Sequence, residues 1–226
     1  MLDWLLNANS LQRLGAGLEQ TVKISLLALV FSSLLGLGFG LLLRSRWRIL
    51  RWPARFYLET IRIVPLLVWL FLFFYALPRW TGWHLSGFWV CVLVFSGWGL
   101  AEMGDLLRGA LDSIDRHQRD TGRALGLSDG QIFWLIEAPQ ALRRLLPGAI
   151  NLATRLIKTT SLGYLVSVVE LVMAGKTLIE NTLVSTNGTG AVPNASLWVY
   201  GLIFIIYFLI CYPLSRWAAR LEQRWN

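Results

Sequence analysis

Charge is scarce in this sequence. Lysine, arginine, aspartate and glutamate supply 15% of its 226 residues, against 55% for hydrophobic residues. Soluble domains carry about 25% charge, so that class is excluded. Cysteine is nearly absent: Cys91 and Cys211 stand far apart in apolar stretches, with no CxxC spacing and no nearby histidine. They read as small buried apolar residues, which removes disulfide scaffolds and thiolate metal sites. His84 and His117 have no partner at ligand spacing, so no metal site is expected. No nucleophile–base pair converges either; no catalytic residue is expected, and the chain is not expected to be an enzyme. Also missing is a basic opening followed by an apolar run and a small-residue cleavage site, so the first apolar segment is expected to insert directly.

The apolar residues present fall in blocks of roughly twenty, the length a helix needs to cross about 30 Å of hydrocarbon. The blocks run over 21–43, 56–77, 86–107, 149–174 and 195–214. They predict an all-α integral membrane protein of five transmembrane helices, a single domain over 1–226 solvated by the lipid bilayer. Gly36, Gly38 and Gly40 in the first block suggest close helix contact. The fourth block is interrupted by Arg155, Lys158 and the run Thr159 to Gly163.

A formal charge of +8 raises the question of nucleic acid. The positions of the charges answer it. Arg44, Arg46, Arg48, Arg51 and Arg55 crowd one short loop, and Arg216, Arg220 and Arg224 follow the last block. Basic residues beside membrane spans mark the cytoplasmic side, so no nucleic-acid partner is expected. With those segments inside, five spans put the N-terminus outside and the C-terminus inside. The loops at 78–85 and 175–194 then face outward, and the long polar stretch 108–148 faces the cytoplasm. In the outer loop, Asn187-Gly188-Thr189 reads as a flexible turn.

Within 108–148, a short helix closed by Gly126 offers a small residue at Gly122, where a partner surface can approach closely. Ser128 and Gln131 have the spacing of a capping box, and Leu127, Ile132, Phe133 and Ile136 give the next helix an apolar face. On composition alone, an amphipathic helix lying on the bilayer surface is an equal reading. The spacing favours docking. Asp120-Thr121-Gly122, three further residues, Gly126, nine further residues and Ile136 to Pro139 resemble the EAA loop of ABC importer permeases. That loop runs Glu-Ala-Ala, three residues, Gly, nine residues, Ile-x-Leu-Pro.

The resemblance implies a type I ABC importer permease fold and a coupling helix that seats in a groove of an ATPase subunit. Asp120, Thr121, Gly122, Ala124, Leu125 and Gly126 would make that contact. The chain departs from the pattern with Asp for Glu, Thr-Gly for Ala-Ala, and His117-Gln118 just upstream. Gly17 to Thr21, Tyr57 to Val68, Ala101-Glu102, Arg108 to Leu111, Pro139 to Arg143 and Lys158 to Leu162 each look like signatures of the polar amino acid uptake branch. The resemblance spans nearly the whole chain. It implies two ATPase subunits, a second permease subunit of the same or a different sequence, and a periplasmic or tethered solute-binding protein. It further implies a polar amino acid substrate and residence in the bacterial inner membrane. ATP and Mg²⁺ would bind the ATPase, with no cofactor in this chain. Gly175-Lys176-Thr177 is no phosphate loop, because Glu170 stands where that motif requires glycine.

Charges inside spans are costly and call for partners or water. Glu59 and Arg62 share a helical face near Pro65 and read as an anchoring ion pair. Arg155, Lys158, Ser161 and Glu170 fall broadly on one side of the fourth span. Such a polar stripe suits the wall of a hydrated path, and Glu102, Lys158, Ser161 and Glu170 are its candidate residues. The other reading has Arg155 and Lys158 snorkelling inward and Glu170 at the outer interface. Two alternative functions stay open. One is a permease for an opine, an osmolyte or methionine; the other is an ion-coupled secondary transporter or channel subunit.

Overall fold

The computed structural model describes residues 5, 7–185 and 195–225. Within them every regular element is helical. The chain runs through α1 (Ala8–Leu43), α2 (Arg48–Ile63), α3 (Leu66–Thr81), α4 (Gly87–Asp112), α5 (Arg116–Ala124), α6 (Asp129–Ile132), α7 (Ala138–Thr159), α8 (Leu171–Ser185) and α9 (Ala195–Trp225). Among the described residues three helices are long and apolar enough to cross a membrane, and up to five crossings result if two broken pairs each count as one.

The breaks follow from local chemistry. Pro65 disfavours helical backbone at the residue before it, and Val64 is extended, ending α2. The apolar block 56–77 is therefore divided at Val64 and is not one straight helix. In α3 a π-turn over Leu72–Ala76 precedes Pro78, and Gly82, in the left-handed region at φ 74°, closes the helix. The block 149–174 is divided too. After α7 the chain tightens into a 3-10 helix, Thr160–Val166. Ser167 then takes a left-handed backbone, φ 63°, and the chain restarts as α8. The polar stretch expected as a loop from Gly175 is helical to Ser185, because Leu171, Ala174, Leu178 and Ile179 form a buried stripe. Asn187-Gly188-Thr189 lies outside the described residues.

Two compact units share the chain. The first comprises Met1–Ala28, Leu67–Phe95 and Arg155–Pro213. Its core joins Leu14 of α1 to Leu171, Ala174 and Leu178 of α8 and to Val199 and Ile203 of α9. The second comprises Leu29–Leu66, Ser96–Thr154 and Leu214–Asn226. There Gly36 and Gly40, one turn apart on α1, lie against α4. A side chain at Gly36 would meet Met103 Cβ at 2.7 Å, and one at Gly40 would meet the Gly104 carbonyl oxygen at 2.7 Å. Small residues at this spacing bring helix backbones close where no hydrophobic effect drives association. Gly38 faces open space. Apolar side chains on α9 stay exposed, including Leu197, Phe204, Ile205 and Leu209, a surface suited to lipid or to another membrane subunit.

Candidate functional site

The short helix α5 is built by its ends. Asp115 is its N-cap, its carboxylate accepting the His117 N–H at 2.9 Å. At the other end Gly126 adopts φ 81°, in the left-handed region where only glycine is unstrained. The Leu127 N–H donates to the Gly122 carbonyl at 3.0 Å and the Gly126 N–H to the Arg123 carbonyl at 2.9 Å. These two bonds form a Schellman closure, which satisfies carbonyls the helix end would leave bare. Ser128 then caps α6 with the predicted box, closed reciprocally by Gln131.

Three contacts hold α5 to the chain between Ile132 and Gln140. Arg119 pairs with the buried Glu137 carboxylate, with Nε to Oε1 at 2.8 Å. Gln140 donates to Gln118 at 2.5 Å. Gly122 is buried, and a Cβ there would meet Ile132 Cγ1 at 3.0 Å. The small residue at Gly122 thus serves packing within the chain rather than approach by a partner. Asp120, Thr121, Ala124, Leu125 and Gly126 are exposed, with Leu125 at 76%. The result is a braced helix with a clear outward face. Glu137 and Arg119 were missed from sequence, although a lone carboxylate inside the apolar run 132–138 was a usable signal.

Glu102 lies in the second unit, in a charged network along α4. Arg62 pairs with Asp105 at 2.5 Å and with Glu102 at 3.5 Å, so it reaches α4 instead of Glu59 on its own helix. Arg108 bridges Asp105 and Asp112, and Arg44 reaches Asp112 at 2.9 Å. Arg62, Glu102 and Asp105 line a cavity of about 620 Å³ with Arg143, Arg144 and Glu222.

Lys158 and Ser161 lie in the first unit, where both line an open groove of about 290 Å³ with Tyr200, Phe204 and Tyr207. The three aromatic residues recur at helical spacing on α9, a pattern legible in advance. Ser161 donates to the Lys158 carbonyl at 2.9 Å, while Lys158 forms no salt bridge among the described residues. The groove can receive an anionic group beside apolar surface.

Glu170 does not line that groove. It is fully buried, and its carboxylate accepts the N–H groups of Val172 and Met173, both at 2.8 Å. Its carbonyl accepts the Ala174 N–H at 2.8 Å, and the Thr21 hydroxyl accepts the Leu171 N–H at 3.2 Å. The N–H groups of Leu171, Val172 and Met173, which have no intrahelical partner, are therefore satisfied, and Ala174 makes the first intrahelical bond. This matters most where water is scarce. Glu170 is thus a buried helix cap and does not line the groove of Lys158 and Ser161.

Comparison with known proteins gives a consistent picture. The model of the family described as "Binding-protein-dependent transport system inner membrane component" matches residues 32–226. A probable glutamine ABC transporter permease protein of Bacillus subtilis is 30% identical, covering 92% of this chain and 91% of its own length. An L-cystine transport system permease protein of the same organism is 29% identical over 93% of this chain and 86% of its own. Among solved structures, an amino acid ABC transporter with histidines superposes with a TM-score of 0.85 at 23% identity, covering 99% of both chains. An inward-facing methionine ABC transporter superposes with a TM-score of 0.67 at 17% identity, covering 95% of this chain and 99% of that one.

Proposed function

We infer the function from one premise: this chain belongs to the family of binding-protein-dependent transport system inner membrane components. It is a multi-pass permease subunit of an ABC importer for amino acids, the substrate class of the glutamine and cystine relatives. A polar amino acid is the cargo proposed, and the neighbouring methionine transporter and an octopine permease relative mark the alternatives. Two ATPase subunits bind ATP and Mg²⁺ at the cytoplasmic face, a second permease completes the path, and an external solute-binding protein delivers the cargo. The membrane is the bacterial inner membrane.

The observation that carries this reading is α5. Capped at both ends and braced on Glu137, it presents Asp120, Thr121, Ala124, Leu125 and Gly126 outward at the spacing of a coupling helix. Gly122 contributes by letting α5 sit close on Ile132 and Ile136. A braced helix transmits displacement where a floppy loop would absorb it.

Orientation is proposed with five crossings in a single transmembrane domain, N-terminus out and C-terminus in. The three segments read as cytoplasmic, 44–55, 108–148 and the tail after Leu214, all fall in one compact unit. Exposed Trp47 and Trp52 near one expected interface, and Trp80 and Trp83 near the other, suit the aromatic belts of a bilayer. Lys158 and Ser161 face the solute path, Glu170 shapes it by fixing the start of α8, and Glu102 belongs to the charged cavity of the second unit.

The test is coupled transport by the complex reconstituted with its ATPase and binding protein. Gly126→Trp is expected to abolish amino acid uptake while ATP hydrolysis continues and the complex stays assembled. Normal coupled uptake by that variant would remove the docking assignment. Uptake that proceeds without nucleotide would favour the ion-coupled alternative.

A further inference from the structure

The helix α2 carries three stripes, each at helical spacing. Ala54, Leu58 and Ile61 are buried against the second unit. Ile49, Trp52, Phe56 and Ile63 point away from it, exposed by 83%, 71%, 64% and 76%, with the Trp52 and Phe56 rings stacked at 5.9 Å. Between these runs a third stripe: Arg48, Arg51, Arg55 and Arg62. Only Arg62 is neutralised, by Asp105 and Glu102. Arg48, Arg51 and Arg55, with Arg46 just ahead of them, meet no carboxylate at ion-pair distance among the described residues.

This pattern decides how α2 meets the bilayer. Arg48 and Arg62 are separated by about 21 Å of helix, so a crossing α2 would carry Arg55 unpaired into hydrocarbon at a cost of about a hundredfold or more in insertion. An α2 lying in the interface directs the apolar stripe to acyl chains and the arginine stripe, a quarter-turn round, to the headgroups. We propose that α2 is an interfacial helix whose arginines Arg48, Arg51 and Arg55 bind the phosphates of anionic phospholipids. Ile49, Trp52, Phe56 and Ile63 sit among the adjoining acyl chains. The guanidinium fork suits phosphate oxygens, and the missing protein carboxylates leave that place open. The crossing itself then begins at Pro65.

The intact transporter is purified in mild detergent from membranes containing phosphatidylglycerol, and the phosphatidylglycerol retained per chain is measured by mass spectrometry. Joint Arg48→Gln, Arg51→Gln and Arg55→Gln replacement is expected to lower it about tenfold, whereas the three Arg→Lys replacements keep most of it. Retention in the glutamine variant equal to that of the unaltered transporter overturns the lipid site. Because the glutamine variant can fold poorly, spin labels at Phe56→Cys and Arg48→Cys, with Cys91 and Cys211 replaced by alanine, give a second measurement in nanodiscs. The label at 56 is expected just below the phosphate plane and the label at 48 on its aqueous side. A label at 56 in the bilayer centre would show that α2 crosses. One shielded from both oxygen and aqueous quencher would show that another subunit covers the face. One reached only by the aqueous quencher would show no membrane contact. Any of these three overturns the proposal.

Discussion

At Glu170 a carboxylate is fully buried, yet both oxygens are occupied by backbone N–H groups at the start of α8. The positive end of the helix dipole adds to that stabilisation. Glu170→Ala strips two hydrogen bonds from a buried site and is expected to cost about 2–4 kcal/mol, with Glu170→Gln costing about half as much. Thermal unfolding of the purified chain in detergent measures both, and wild-type midpoints would show that water replaces the cap. Lys158 has the opposite character, an exposed cation beside Tyr200, Phe204 and Tyr207. Lys158→Met is expected to raise the KM for uptake roughly tenfold, the loss of about one hydrogen bond to a charged group. Its association with the ATPase should be unchanged. Unaltered uptake kinetics would make Lys158 a snorkelling residue.

Among the elements, α5 is too short to persist alone, since isolated helices below about a dozen residues are marginal in water. Its caps and its attachment to α6 and α7 keep it in place. Glu137 is the centre of that attachment: it is buried and holds Arg119. Glu137→Ala is expected to loosen α5 by about 1–3 kcal/mol, the range for a hydrogen-bonded charge pair of which one member is half exposed. Hydrogen exchange of residues 116–124 should then quicken, and uptake should fall more than ATP hydrolysis. Unchanged exchange would place the bracing elsewhere, on Gly122 and its contacts with Ile132 and Ile136.

For the whole molecule the governing quantity is the distribution of charge between the two ends of the spans. Orientation is read out by single cysteines in cells, with a membrane-impermeant maleimide. Trp83→Cys is expected to label from outside and Arg46→Cys only after permeabilisation. The reverse pattern would invert the topology and remove α5 from the ATP-bearing side. The native thiols interfere little, as Cys91 is buried and Cys211 half-buried.

Sequence alone determined the class, the apolar blocks, the basic segments beside them and the spacing of the EAA-like motif. It also determined the capping box of Ser128 and Gln131, because a cap joins residues three apart and depends on their types. Only the tertiary structure decided which groups answer each other at long range. Arg119 finds Glu137 across 18 positions, Arg62 finds Asp105 across 43, and the Leu171 N–H finds Thr21 across 150. Residue type makes such polar groups need partners, but the path of the chain selects them. For the same reason Gly122 turned inward, Glu170 became a cap, and a block read as one span broke at Pro65 into a charged helix and an apolar one. Periodicity shows that a helix has a face; it takes the packed neighbours to show what that face meets.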